Sequence, residues 1–191
     1  MVVYNRIDLR LKGANMNLSK LQRLFLYNQY LILEKLYPED AKLYSMFRKV
    51  LNDGYTLEYS TMFQIFDEEM TEEECKEVYD ILDMYHALYN SFDRLPDKSL
   101  IDKDKIHFDG FDGNNESEQR SYALFLIYDL GKYEKLRDVK NKYDSLNSHS
   151  WRLDKYRTML SVWKSIPIEN RYELNAQQIQ EILKAPYPKK S

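Results

Sequence analysis

The feature that most constrains this chain is a long amphipathic repeat that begins near residue 71. Apolar side chains recur there at spacings of three and four residues, which is the period of one face of an α-helix. Thr71 and Glu74 precede the repeat with the spacing of a capping box. The sequence therefore predicts a long helix that Pro96 ends. The repeat comprises Val78, Ile81, Leu82, Tyr85, Leu88, Tyr89 and Phe92.

An earlier segment predicts a helix that is apolar on two opposite sides. It begins at Ser19, which forms a capping box with Gln22, and it runs to about Leu36 before Pro38. A helix that is apolar on most sides is usually surrounded by protein, so we expect this one to be central. One side carries an apolar stripe of Leu21, Leu24, Phe25, Leu31, Ile32 and Leu36, and the other carries Leu26, Tyr27, Tyr30 and Leu33.

Two shorter helical segments are predicted between Pro38 and the long repeat. Glu39 and Asp40 supply the negative charge that suits a helix N-terminus, and Gly54 is placed to end that helix. Residues 58–66 form a further short helical segment.

The second half of the chain predicts three more helices. Asn115 and Glu118 have the pattern of a helix cap, and apolar residues follow at helical spacing. Ser150 is a candidate cap for a helix that ends before Pro167. A last short helix is expected over residues 175–184.

The start of the chain has a different period. Apolar and polar residues alternate from Ile7 to Leu11, as in a half-buried strand, and residues 105–108 or a second copy of the chain could pair with it. We therefore predict an all-α fold, a compact multi-helix single domain with one main core, with or without a short N-terminal β-strand. The expected boundaries are an N-terminal extension over 1–15, a helical domain over 16–185 and a disordered tail over 186–191.

Composition restricts the partners and the compartment. The 28 basic and 31 acidic residues are interspersed and give a net charge of −3, which disfavours nucleic acid as a partner. The single cysteine cannot form an intrachain disulfide, and the chain starts without the apolar run of a signal peptide. No apolar stretch reaches the roughly 20 residues that cross a bilayer. We expect a cytoplasmic protein that is not inserted in a membrane.

Familiar catalytic patterns do not occur in the sequence. It contains no Gly-rich phosphate loop, no G-x-S-x-G elbow and no H-E-x-x-H motif. No Arg precedes a His by four to six residues, as in the helical HEPN ribonucleases. Four glutamates surround Cys75 at positions 72–74 and 77, and negative charge disfavours the reactive thiolate. These observations favour a protein without enzymatic activity.

His86 is the strongest candidate for metal chemistry. It follows Asp83 by three residues on one helix face, which is half of the carboxylate-histidine motif of di-iron bundles. The only other such pair, Asp104 and His107, falls in a segment that is not predicted to be helical. We therefore expect no metal, and a histidine that hydrogen-bonds to a neighbour at the edge of the apolar stripe.

Two further groups of polar residues are candidates for a site. Asn28 and Gln29 interrupt the apolar stripe of the first helix, where a buried amide without a partner costs roughly 1–3 kcal/mol, so they form a structural network or line a pocket. Asp112, Asn114 and Glu116 have a spacing similar to that of calcium-loop ligands. The twelve-residue EF-hand pattern is not met, and an Asx turn explains the spacing better.

Short motifs in a fixed order resemble a known family. The resemblance is to the YfbU family of bacterial proteins, and it extends from about Asn17 to Lys184. It implies an α-helical cytoplasmic protein with no established activity or cofactor. Some members resemble fusions to ribbon-helix-helix DNA-binding segments. The motifs are Asn28-Gln29-Tyr30, Asp83-Met84-Tyr85-His86-Ala87-Leu88, Phe108-x-Gly110-Phe111-Asp112 followed by Glu116, and Leu160-x-Val162-Trp163.

Three functions follow as hypotheses. The favoured one is a non-catalytic interaction or regulatory module that forms a homo-oligomer or binds a protein partner through its aromatic surface. The family fusions suggest a transcription-associated regulator instead. The remaining hypothesis is a small-ligand-binding protein or enzyme. Its pocket would gather Asn28, Gln29, Tyr85, His86, Asp112 and Glu116.

Overall fold

A computed structural model describes residues 17–66, 69–137 and 146–185, and these residues form helices joined by loops, without a β-strand. The prediction of an all-α fold is confirmed. The predicted N-terminal strand and the predicted tail lie outside the described residues. No helix in the described ranges combines the length and the apolar character that crossing a membrane requires. The helices are α1 (Lys20–Leu36), α2 (Ala41–Asp53), α3 (Tyr59–Met62), α4 (Glu72–Arg94), α5 (Ser117–Leu124), α6 (Leu153–Ser165) and α7 (Ala176–Leu183).

Local capping signals place the two longest helices where the sequence predicted them. The Gln22 amide donates to the Ser19 hydroxyl at 3.3 Å, and the Ser19 amide donates back to the Gln22 side chain at 2.9 Å. Thr71 and Glu74 make the same reciprocal pair at the start of α4, at 3.2 and 2.8 Å. Gly54 ends α2 in the left-handed region at φ 75°. Both predicted capping boxes are therefore confirmed.

The chain divides into two compact units, Met1–Glu69 and Met70–Ser191. Where the sequence led us to expect one main core, each unit has a buried cluster of its own. In the second unit α4 contributes the largest share of the core, and α5, α6 and α7 pack around it. In the first unit α1 lies along α2, and the buried cluster formed by residues 17–66 is small. It consists of Val50, Leu51, Tyr59 and Met62.

The expectation that α1 is a central helix is wrong, because none of its residues is buried. Only one of its two apolar sides is covered, and that side faces α2. The Arg23 guanidinium donates to the carbonyl oxygens of Leu51 at 2.7 Å and Asn52 at 2.8 Å. Arg48 pairs with Glu34 at 2.6 Å across the same contact. The other side carries the apolar stripe, which remains exposed.

Two local predictions in the second unit are also wrong. Residues 105–108 were considered as a partner strand, but Lys103–Ile106 form a short 3-10 helix whose last side chain is fully buried. Asn115 does not cap α5, because its side chain donates to Asp112 at 2.6 Å instead. The residue immediately before α5 is Glu116, and its carboxylate does not accept a hydrogen bond from the first turn of α5.

The predicted cap of α6 at Ser150 is wrong for a related reason. Ser150 donates its hydroxyl to the Ser148 carbonyl, and α6 begins after Arg152. The first amides of α6 are instead bonded to the carboxylate of Glu116, which lies far away in the sequence.

Candidate functional site

Glu116 joins the loop before α5 to the first turn of α6. Its side chain is buried, with 1% exposed. One carboxylate oxygen accepts the amides of Arg152 at 2.9 Å and Leu153 at 2.6 Å, and the other accepts the amide of Asp112 at 2.8 Å. Helix N-termini leave amides without intrahelical partners and favour negative charge. The Glu116 carboxylate therefore caps α6 from a separate segment.

The neighbouring Asp112 is buried as well and makes a local turn. Its carboxylate accepts the Asn115 side-chain amide at 2.6 Å and the Asn114 backbone amide at 3.1 Å. These hydrogen bonds hold the pKa of the Asp112 carboxyl below its ordinary value, and the charge of His149 acts in the same direction. The bond to Asn114 is the Asx turn that the sequence predicted. Within the described ranges, no three His, Cys, Asp or Glu side chains group as metal ligands.

Residues 146–148 run beside the loop that contains both carboxylates. The Phe111 amide donates to the Leu146 carbonyl at 3.0 Å, and the Ser148 amide donates to the Phe111 carbonyl at 3.1 Å. Gly110 has a φ of 85°, and a Cβ at that position would overlap the backbone of Leu146. The Gly110 carbonyl accepts the buried Tyr156 hydroxyl at 2.8 Å. The motif from Phe108 to Glu116 is thus a tightly packed junction.

Tyr85 is part of the core behind this junction. Its ring centroid lies 5.0 Å from that of Phe108 and 5.4 Å from that of Tyr156. Its hydroxyl lies 3.9 Å from the Met159 sulfur. Aromatic pairs with these tilted and edge-to-face geometries stabilise a core beyond the area that they bury. Tyr85 therefore connects α4 to the loop and to α6.

His86 makes a hydrogen bond within its own helix. Its Nε2 atom lies 2.7 Å from the Asn90 side-chain amide, and its ring meets the Tyr133 ring edge to face at 5.8 Å. The Nδ1 atom is buried and has no hydrogen-bond partner among the residues that the structure describes. Asp83 accepts the Tyr133 hydroxyl at 2.7 Å rather than joining His86 in a ligand pair. The expectation of a histidine bonded to a neighbour is confirmed.

Asn28 and Gln29 are exposed on α1 in the first unit. The expectation that burial forces a partner on these amides is wrong, because water reaches both. The other four predicted site residues lie in the second unit, where Asp112 and Glu116 belong to the junction and Tyr85 to the core behind it. A pocket shared by all six residues stays a prediction.

The apolar stripe of α1 surrounds Asn28. Its six large apolar side chains are between 38% and 64% exposed. They lie on the side of the helix opposite the residues that contact α2. The sequence identified these positions as apolar but did not reveal that they stay uncovered. They are Leu21, Leu24, Phe25, Leu31, Ile32 and Leu36.

A polar cleft at the start of α6 was missed by the sequence analysis. Two cavities of about 230 and 260 Å³ share His107, Asp109 and Arg152 as lining residues. Arg152 pairs with Asp109 at 3.3 Å. Lys155 lines the second cavity, and burial lowers the pKa of its ammonium group. Only the fold brings these residues together, since His107 and Asp109 lie in a loop, Arg152 immediately precedes α6, and Lys155 lies on α6.

Comparison with known families identifies a matching domain. The family model described as YfbU domain matches residues 16–185 of this chain. The match includes every residue that the structure describes, so it spans the exposed stripe of the first unit as well as the junction and the cleft of the second.

Proposed function

This chain belongs to the YfbU family, and we propose that it is a non-catalytic helical module that associates with a second copy of itself. The observation that carries the proposal is the apolar stripe of α1. One side of α1 packs on α2, while the opposite side exposes six large apolar side chains. A helix with two apolar sides and one neighbour has a side that remains to be covered.

The size of the stripe supports association. Six Leu, Ile and Phe side chains at these exposures present an apolar surface on the order of several hundred Å², comparable with the largest patch on a typical monomer, about 300–600 Å². Water disfavours such a surface by roughly 25 cal/mol per Å². Covering it on two copies contributes enough to offset the roughly 4–15 kcal/mol that association costs in lost freedom.

The composition of the stripe is also that of an interface centre. Between Leu21 and Leu36, Lys35 is the one charged residue among the positions on this side, and Asn28 is the one amide at its middle. Depletion of charge at the centre of a patch distinguishes interfaces from the remaining surface. By contrast, Arg23, Glu34 and Arg48 form polar contacts around the side of α1 that faces α2.

The proposal is tested by introducing charge into the stripe. We expect the double variant Leu24→Glu, Ile32→Glu to be monomeric where the unaltered protein is dimeric, with association weakened at least about 100-fold, since buried carboxylates without partners oppose the interface. Light scattering after size exclusion gives the mass. Circular dichroism should show unchanged helix content, because neither side chain is buried in the single copy.

A matched control comes from the same unit. Ile65 is 85% exposed and lies outside α1, so Ile65→Glu should leave the dimer intact. A monomeric mass for the unaltered protein at high concentration contradicts the proposal. An equal loss of association in the control and in the double variant contradicts the role of the stripe.

The cleft at the start of α6 supports a second function, the binding of a small anion. Two half-buried cationic groups line the cavities: Arg152, which pairs with Asp109, and Lys155, whose ammonium donates to the Ala185 carbonyl. His107 lines both cavities. Guanidinium and ammonium groups are the usual ligands of carboxylate and phosphate groups. Cavities of about 230 and 260 Å³ fit an anion of the size of phosphate or a small carboxylic acid.

Inorganic phosphate is a direct probe of this cleft. We expect millimolar phosphate to raise the melting temperature of the unaltered protein, because ligand that binds only the folded state stabilises it by about 2.7 kcal/mol at 100 times its Kd. Arg152→Gln should show only the small general effect of the salt. Arg157→Gln on α6 removes an arginine that pairs with Glu77, and it should keep the full response. Equal shifts in all three proteins contradict a site in the cleft.

A further inference from the structure

We infer that the two copies pair α1 against α1 in antiparallel orientation, with Asn28 of each copy on the twofold axis. This arrangement rests on the proposed self-association and specifies its geometry. Three features favour this antiparallel arrangement over a parallel pair. They are the order of apolar residues in the stripe, the amide of Asn28 and the charge of Lys35.

The stripe reads nearly the same in both directions from Asn28. Phe25 and Leu31 lie three residues to either side, and Leu24 and Ile32 lie four residues to either side. Consider an antiparallel pair whose twofold axis passes through Asn28. A residue that precedes Asn28 then contacts the residue of the other copy that follows Asn28 by the same number of positions. Every apolar side chain of the inner turns then meets an apolar side chain. A stripe with this symmetry is complementary to itself, which favours a second copy of the chain as the partner that covers it.

The charge on the stripe distinguishes the two orientations. Lys35 lies seven residues after Asn28, and Leu21 lies seven residues before it. A parallel pair sets the two Lys35 ammonium groups opposite each other at a helix separation of about 8–10 Å. An antiparallel pair sets them about 21 Å apart along the axis, at a rise of 1.5 Å per residue. That distance is well beyond the screening length of about 8 Å at physiological salt, so the repulsion disappears.

Asn28 is suited to the position on the axis. Its side chain has both a donor and an acceptor, so two copies of the same amide can satisfy each other across a twofold axis. A single polar residue within an apolar helix contact also fixes the register, because any sliding leaves the amide without its partner. The exposed Asn28 in the single copy thus becomes the register-setting contact of the pair.

The contact has the dimensions of an ordinary helix pair. The 17 residues of α1 give a helix of about 25 Å, which is long enough for all the contact layers from Leu21 to Leu36. The apolar residues recur from Leu21 to Leu36 over nearly this whole length. The covered side of each α1 stays packed on its own α2. Pairing therefore needs no rearrangement within the first unit.

Cysteine crosslinking tests the orientation. Cys75→Ser removes the only native cysteine, and single cysteines are then placed at positions 21, 28 and 35 in full-length protein. A short bis-maleimide links cysteines that lie close across the interface. We expect Asn28→Cys to crosslink to its own copy on the order of 100-fold faster than colliding monomers do, because its effective concentration is millimolar. Leu21→Cys and Lys35→Cys should each crosslink poorly alone, and a mixture of the two should give the mixed dimer.

Each outcome separates the orientation from the association itself. If Leu21→Cys and Lys35→Cys each link to their own copy and not to each other, the pair is parallel and the inference fails, while self-association stands. If light scattering shows a dimer but none of the three positions crosslinks, α1 is not the interface. A monomeric mass overturns the inference together with the proposed function. Helix content and mass are measured for every variant before crosslinking, so that a misfolded variant is recognised.

Discussion

Replacing Gly110 with alanine is expected to destabilise the second unit by about 4 kcal/mol, which is near the upper end for a single substitution. Two costs add. Gly110 has a φ of 85°, where a residue with a Cβ is less stable than glycine by about 1–2 kcal/mol. The added Cβ also overlaps the backbone of Leu146, which cannot rotate away as a flexible side chain can.

Gly131 provides the control for this substitution. Its φ is 65°, and an added Cβ there meets nothing within 4 Å. Gly131→Ala should therefore cost only the conformational part, about 1–2 kcal/mol. Both variants are compared by urea unfolding monitored through tryptophan fluorescence. Trp151 and Trp163 are the two tryptophans, and both lie in the second unit. Equal destabilisation by the two alanines contradicts a close approach at Gly110.

Replacing Glu116 with alanine is expected to have a similarly large effect, a loss of about 4 kcal/mol in the free energy of unfolding. The carboxylate accepts three backbone amides, from Asp112, Arg152 and Leu153. Each buried amide that loses its acceptor costs roughly 1–3 kcal/mol unless water replaces the lost bond. Alanine leaves a cavity of limited size, so water restores only part of the loss.

Two further variants define what the Glu116 carboxylate contributes. Glu116→Gln keeps one acceptor oxygen but turns an amide group toward a backbone donor. We therefore expect it to lower the free energy of unfolding, but by less than Glu116→Ala does. Glu118 is exposed in the first turn of α5, and Glu118→Ala should change stability by less than about 0.5 kcal/mol. The same urea unfolding serves for all three. If Glu116→Ala lowers the free energy of unfolding no more than Glu118→Ala does, the hydrogen bonds of the buried carboxylate are not important for stability.

The sequence predicted the parts of the fold that depend on neighbouring residues. Ser19 with Gln22 and Thr71 with Glu74 bond within one helical turn, so their spacing alone identifies the helix starts. The cap of α6 could not be found in this way. It is supplied by Glu116, which lies 36 residues before Arg152. The sequence around Ser150 contains no pattern that would predict a contact with a residue so far away along the chain.

The candidate site shows the same limit. Apolar periodicity identified both sides of α1, but it does not tell which side a neighbour covers. The motif from Phe108 to Glu116 attracted attention through its carboxylates, and the structure shows these carboxylates bonded to backbone and side-chain amides. The cleft went unnoticed because His107, Asp109 and Arg152 resemble ordinary surface residues until the fold brings them together.

The small core of the first unit has a thermodynamic consequence. Over residues 17–66, four hydrophobic side chains form the buried cluster, whereas α1 and α2 contain 17 and 13 residues. A helix pair with so few enclosed contacts sits close to its melting equilibrium at ordinary temperature. Whatever covers the outer side of α1 therefore stabilises the pair by mass action. Dilution would then loosen this unit before the remainder of the molecule.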